Sequence, residues 1–282
     1  MPELPEVQTT INDLKKKIVG LKIVDVWVDT PQLIKKPSWV EFKKQTKGAK
    51  IEKISRRGKN ILIYLDSRFK IQDSRILLIH QKLTGHLLYG KWKLETGKWR
   101  PIEKGSLQEK VNQYIHLIFF LSNGKMLALS DLRKLAKVIL GPAEEILNLK
   151  DIKKLGPEPL EKSFNVEKFI KTLRQAQEKR KIKEVLMDQE IIAGIGNIYS
   201  DEILWQAKIH PFRAARRLGS KELKDLYQAL KDVLEKAVKL RGTDIRRVYQ
   251  REGELCFRCG TKIKRIKIGG RSAHFCPKCQ RI

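Results

Sequence analysis

The feature that most restricts how this chain folds lies near its end, where Cys256-x2-Cys259 and Cys276-x2-Cys279 stand sixteen residues apart and account for every cysteine present. Each C-x2-C unit offers two thiolates from one tight turn, and a spacer of this length closes a hairpin between the turns. The spacing therefore predicts a tetrahedral four-cysteine site for one zinc ion. Four protein ligands leave no open coordination position, so the metal is expected to hold the fold together rather than perform chemistry. Two disulfides are the alternative. They are disfavoured by a basic composition of intracellular type and by the lack of a recognisable signal peptide.

The same region is strongly cationic. Between Arg241 and Ile282 there are 12 Lys or Arg and three Asp or Glu, and the whole chain carries 60 basic against 32 acidic residues, a formal charge of +28. A field of that sign concentrates polyanions, and nucleic acid is the leading partner because phosphate neutralisation supplies most nonspecific affinity. An anionic membrane surface is the competitor, but no apolar run reaches transmembrane length and no lipidation signal appears. A lysine-rich solvated surface accounts for part of the excess without explaining its concentration around the cysteines.

At 282 residues the chain exceeds the usual size of a single core. The pattern changes along it. Val7, Ile11, Leu14 and Ile18 mark one face of an opening helix that Gly20 stops. Short apolar runs follow at Leu21 to Val28, Asn60 to Leu65, Arg75 to His80, Gln113 to Leu121 and Lys125 to Leu129. The last two flank the turn sequence Ser122-Asn123-Gly124. Asn165 to Ala176, Ile182 to Met187, Asn197 to Ala207 and Ser220 to Leu240 read as helices. Gly141-Pro142 and Gly156-Pro157-Glu158-Pro159 lie between the two halves and predict a linker. The expected organisation is α+β and multidomain: a β-sandwich with its opening helix over 1–135, a linker over 136–160, a helical domain over 161–245 and a zinc hairpin over 246–282.

The chain begins Met1-Pro2-Glu3-Leu4-Pro5-Glu6. Removal of Met1 makes Pro2 a terminal secondary amine, and an α-amino group titrates near pKa ~8 against ~10.4 for a lysine side chain. Such an amine forms covalent imines with electrophilic carbon when a neighbouring carboxylate manages protons.

MPELPEV at the start, RRGKN at 56–60, LGPEPL at 155–160, LMDQ at 186–189, GIGNIYSDE at 194–202 and the cysteine hairpin, in that order, resemble the formamidopyrimidine-DNA glycosylase and endonuclease VIII family. The resemblance spans nearly the whole chain. It implies an N-terminal β-sandwich, a helix-two-turn-helix domain and a zinc finger. It also implies excision of oxidised bases from double-stranded DNA and cleavage at abasic sites through a Pro2 Schiff base, with Glu3 managing protons at the sugar. By the same resemblance Lys59 contacts phosphate and donates a proton, Glu6 orients the site, and Arg271 grips phosphate and assists the second elimination. His80, Leu83, Arg133, Lys183 and Asn197 are expected to contact DNA. Asn197 is expected to do so at a helix start with unpaired N–H groups.

Several positions depart from the family's pattern. Leu83 replaces the usual wedge methionine, Leu135 replaces a phenylalanine, and Tyr114-Ile115-His116 replaces a histidine-x-histidine. Only four residues separate Arg241-Gly242-Thr243 from Val248-Tyr249, where formamidopyrimidine-type members carry a long loop over the flipped base. Ring-opened purines, hydantoins or oxidised pyrimidines are therefore expected to be better substrates than 8-oxoguanine. An enzyme closer to endonuclease VIII and a noncatalytic zinc-finger DNA-binding protein are the rival readings. A metal-dependent nuclease lacks the needed carboxylate and histidine cluster. The expected state is a cytoplasmic, nucleoid-associated monomer.

Overall fold

The computed structural model describes residues 2–66, 74–175, 179–242 and 245–282. Met1, Ala176 and Thr243, which entered the readings above, lie outside them. The chain forms two compact units, one of Pro2 with Val7–Lys153 and the other of Glu3–Glu6 with Lys154–Ile282.

The first unit contains most of α1 (Leu4–Ile18), then β1 (Ile23–Val28), β2 (Ile34–Lys36), α2 (Trp39–Thr46), β3 (Ile51–Arg57), β4 (Asn60–Leu65), β5 (Arg75–His80) and β6 (Gly85–Gly90). A small hairpin, β7 (Trp92–Glu95) and β8 (Lys98–Pro101), precedes β9 (Ile115–Leu121), β10 (Met126–Asp131), β11 (Lys137–Pro142), α3 (Ala143–Leu147) and α4 (Lys150–Lys153). The strands build two main sheets, ordered β1-β9-β10-β6 and β2-β11-β5-β4-β3. Alternate residues of each strand turn inward: Leu117, Phe119 and Leu121 from one sheet meet Ile61, Ile63, Leu77 and Ile79 from the other in a single core. Val7, Ile11, Leu14 and Ile18 of α1 join that core at their helical spacing. The expected turn is present, with the Gly124 N–H donating to the Leu121 carbonyl at 3.0 Å and φ at +74°.

The linker expected to begin at residue 136 instead begins with a strand. β11 pairs along its length with β5, from Lys137 opposite His80 to Pro142 opposite Arg75, and Val138 and Leu140 enter the core. Gly141-Pro142 ends a strand here, a position that proline tolerates.

The second unit contains α5 (Val166–Arg174), α6 (Ile182–Met187), α7 (Asn197–Gln206), α8 (Ser220–Lys239) and the hairpin β12 (Lys264–Ile268) and β13 (Arg271–Phe275). Leu223, Leu226, Leu230 and Leu234 of α8 pack with Tyr199 and Ile203 of α7 in this unit's own core. The loop joining α6 to α7 is organised by Gln189, whose amide donates to the Met187 and Ile195 carbonyls and accepts from the Gly194 N–H. Gly156 lies against that loop so closely that a Cβ there would stand 2.5 Å from the Ile191 carbonyl oxygen, which gives the LGPEPL motif a packing reason.

Candidate active site and metal centre

The N-terminal residues of the second unit are fastened to the start of α7. The Glu3 carboxylate, 1% exposed, accepts backbone N–H groups from Gly196 at 2.8 Å, Ile198 at 2.9 Å and Tyr199 at 3.3 Å. The first turn of a helix has N–H groups without intrahelical partners and a positive dipole end, so a carboxylate there satisfies both. Leu4 is held beside it, donating its N–H to the Gly194 carbonyl at 3.0 Å. Gly194 has φ +91°, and any Cβ on it would stand 2.7 Å from Leu4 atoms. Glu6 closes the first turn of α1 by accepting the Glu3 N–H at 2.8 Å, and its other oxygen accepts the Tyr199 hydroxyl. Burial and the Glu6 carboxylate push the Tyr199 phenol well above its ordinary pKa, so it acts as a donor.

Two expectations change as a result. The α7 N–H groups expected to meet a phosphate are those of a helix start already capped by Glu3. What Asn197 retains toward a phosphate is its side-chain NH2 donor; its Oδ1, an acceptor, is buried without a partner among the described residues. Lys183 is also enclosed. Expected to contact DNA near the lesion pocket, it is 0% exposed, with its ammonium 2.5 Å from Asp201 Oδ1 and 3.1 Å from Ser200 Oγ. Burial lowers its pKa while Asp201 opposes the shift. A cation so enclosed is an internal partner, since leaving it unpaired would cost several kcal/mol.

Sequence reasoning missed the two residues that follow Ser200. Asp201 also accepts the His274 N–H at 2.9 Å and lies 3.0 Å from His274 Nδ1. Glu202 accepts N–H groups from Arg247, Val248 and Tyr249 at 2.7–3.0 Å, clamping that three-residue segment. Burial raises the Glu202 pKa, and the three N–H bonds work against that rise. The available signal was a pair of adjacent acids set among Ile198, Tyr199, Ile203, Leu204 and Trp205, where burial requires each carboxylate to find donors. Arg271 begins β13 directly after the Gly269-Gly270 turn, both glycines having positive φ, and is exposed.

In the first unit Lys59 occupies the two-residue turn between β3 and β4 with Gly58 at φ +56°. His80 is opposite Asn60 on β4 and Lys137 on β11, and its Nδ1 accepts the Lys82 N–H at 3.0 Å. Burial, then Lys82, Lys59 and Lys137, lower its pKa to about 4, so the imidazole is neutral at physiological pH. Asp131 binds two loops together: it accepts the Thr84 hydroxyl and the N–H groups of Arg133, Leu135 and Ala136. The loops it fixes expose Leu83 by 38% and Leu135 by 43%, with Arg133 also exposed. Neither leucine is a core residue. Pro2 belongs to this unit and is half-buried.

The sulfurs of Cys256, Cys259, Cys276 and Cys279 all lie within 4.8 Å of one another. Tetrahedral zinc with bonds of about 2.3 Å needs sulfurs about 3.8 Å apart, so the four residues fit one ion. The knuckles are preorganised: Cys256 Sγ accepts from Trp205 Nε1 at 3.4 Å, and the Cys276 N–H donates to Gln280 Oε1 at 2.8 Å.

Residues 1–138 match the formamidopyrimidine-DNA glycosylase N-terminal domain, residues 155–248 the formamidopyrimidine-DNA glycosylase H2TH domain, and residues 253–282 the zinc finger found in FPG and IleRS. The chain is 39% identical to the formamidopyrimidine-DNA glycosylase of Pelotomaculum thermopropionicum over the full length of both. It is similar to the structure of MutM in complex with DNA containing carbocyclic 8-oxo-G, at 35% identity, full coverage of both chains and a TM-score of 0.83. A complex of Lactococcus lactis Fpg with abasic-site DNA shares 34% identity and a TM-score of 0.83, covering 99% of this chain and all of that one. With its three domain matches in order along the chain and full-length identity to curated members, the chain belongs to the formamidopyrimidine-DNA glycosylase family.

Proposed function

We propose that this chain is a bifunctional DNA glycosylase and abasic-site lyase of base excision repair, acting on duplex DNA that carries oxidised bases. The observation that carries the mechanism is the fastening of Glu3 and Leu4 to α7 and its preceding loop. It gives the peptide directly after Pro2 a fixed position, as a terminal nucleophile requires.

In this reading the neutral Pro2 amine forms a bond to C1′ and the damaged base leaves with the electrons of the glycosidic bond. Opening of the sugar at O4′ yields an iminium. The positive nitrogen acidifies the C2′ proton, whose loss expels the 3′ phosphate; a second elimination expels the 5′ phosphate. Glu3 supports proton movement at the sugar oxygen, Glu6 holds Glu3 through its backbone N–H, Lys59 serves the first elimination and Arg271 the second. Asn197, Lys59 and Arg271 contact phosphates. Leu83, Leu135 and Arg133 supply apolar bulk and a hydrogen-bonding cation toward the gap left by the extruded nucleotide. The neutral His80 contributes a hydrogen bond rather than a charge. Zinc, held by the four cysteines, stabilises the finger and takes no part in bond breaking.

No helix among the described residues is long and apolar enough to cross a membrane. A cytoplasmic, nucleoid-associated monomer is the state we propose. The test is borohydride trapping on abasic-site DNA. Trapping is expected in protein processed to Pro2 and lost in Pro2→Gly with duplex binding retained, whereas undiminished trapping in that variant would move the nucleophile to a lysine.

A further inference from the structure

Helix α7 has different attachments at its two ends. Its first turn receives the Glu3 carboxylate, which fixes the segment behind Pro2. Its second and third turns receive the finger: Asp201 binds His274 of β13, while Trp205 binds Cys256 and is covered by the Arg258 guanidinium, 4.1 Å from the ring centroid. Ten residues of α-helix span about 15 Å and do not stretch. The helix therefore acts as a spacer of fixed length between the N-terminal segment and the finger.

The contacts to the finger are not equivalent. Trp205 and Arg258 hold the first cysteine knuckle, whereas Asp201 is the α7 carboxylate that holds the strand bearing Arg271. One of its oxygens takes the backbone N–H of His274 and the protonated Nδ1 of the same residue; the other takes the buried Lys183 ammonium, which Ser200 also contacts. Asp201 can only accept, so its partners fix the tautomer of His274 and the orientation of its own carboxylate. Arg271 lies three residues before His274, about 10 Å along the strand, and beyond it lies only the two-glycine turn. The position of Arg271 is set by the β12 ladder, by the bond from Asp201 to His274 and, at the turn, by Glu184 of α6, which lies against Gly269.

We propose that Asp201, charge-balanced by Lys183, is a positioning residue for the second elimination: it holds β13 so that Arg271 stands at a fixed distance from the Glu3–Glu6 segment. This rests on the proposed roles of Pro2 and Arg271. The inference separates the two ends of α7. Loss of Asp201 removes the hold on β13 from α7, loosening Arg271, and leaves the Glu3 attachment, and hence imine formation, in place.

The experiment compares wild type, Asp201→Asn, the milder His274→Phe and Arg271→Ala, each purified with its zinc content measured. Borohydride trapping reads Pro2, and the ratio of δ- to β-elimination products on abasic-site DNA reads Arg271. Asp201→Asn is expected to keep trapping within about twofold and lower the δ-to-β ratio about tenfold, a change of about 1.4 kcal/mol in relative barrier. His274→Phe, which leaves the Lys183–Asp201 pair intact, should lower the ratio less, and Asp201→Asn combined with Arg271→Ala should be no worse than Arg271→Ala alone. An unchanged ratio in zinc-loaded Asp201→Asn overturns the proposal, as does a parallel fall in trapping, which would indicate general loss of structure. Should Arg271→Ala itself leave the ratio unchanged, the role of Arg271 fails, and amide hydrogen exchange decides the positioning. Faster exchange at 271–275 with unchanged exchange at 196–199 in Asp201→Asn supports it; unchanged exchange at 271–275 overturns it.

Discussion

Replacing Glu3 with glutamine tests whether that carboxylate is a structural member as well as a participant in chemistry. Glutamine keeps the size of the side chain but has one acceptor oxygen where glutamate has two. Placed where it keeps the bonds from Gly196 and Tyr199, its amide NH2 faces the Ile198 N–H, a meeting of two donors now separated by 2.9 Å of hydrogen bond. The lost charge-assisted bond and the orphaned donor together cost about 2–3 kcal/mol. Removing a buried negative charge from a helix N-terminus adds about 0.3–1 kcal/mol. A total of about 3 kcal/mol is a large part of the stability of an ordinary domain, and it corresponds to a fall in Tm of about 6–12 °C. Differential scanning calorimetry on Glu3→Gln and on Pro2→Gly, which leaves every one of these bonds in place, provides the assay. Pro2→Gly should melt with wild type. A Glu3→Gln protein whose Tm stays within about 1 °C of wild type would refute the reasoning, because three N–H groups, two of them in buried bonds, cannot lose their anionic partner without cost.

His80 should make stability depend on pH. Its folded pKa, depressed to about 4, lies below the unfolded value near 6.5, so the unfolded state binds more protons between them. The stabilisation is complete above pH about 6.5 and lost as pH falls toward 4; urea unfolding at pH 7.5 and 4.5 should show a loss in wild type that His80→Gln reduces. Metal analysis should find one zinc per chain, and Cys276→Ser should lose zinc, finger protection in hydrogen exchange and DNA affinity together; full activity in a zinc-free protein would contradict a structural metal. Arg247, held by Glu202, follows the end of α8 at Lys239 by eight residues, leaving little chain to cover an extruded base. Single-turnover excision should therefore favour ring-opened, hydantoin or oxidised-pyrimidine lesions over 8-oxoguanine opposite cytosine. Arg133→Ala should slow base excision more than cleavage at an existing abasic site. A clear preference for 8-oxoguanine opposite cytosine would show that another segment has replaced the loop.

The sequence by itself determined what depends on short-range chemistry. Two C-x2-C pairs set the zinc ligands because each pair is a local turn, and the sulfurs do converge. The strands Asn60–Leu65 and Arg75–His80 and the helix beginning at Ser220 follow from apolar periodicity over a few residues. Elements whose burial comes from distant partners were not legible. β11 reads locally as a Gly-Pro linker and becomes a strand only because β5 and β2 lie on either side of it. Leu83 and Leu135 are apolar residues whose burial the local sequence does not fix; their exposure is decided by Asp131, which ties two loops that are 47 residues apart at Thr84. The same holds for charge. Glu3 meets α7 across more than 190 residues of chain, and Lys183 finds Asp201 across 18, so their burial and partners depended on the closed fold. A motif names the residues, but desolvation and hydrogen-bond geometry are properties of the surroundings, and only the tertiary structure supplies those.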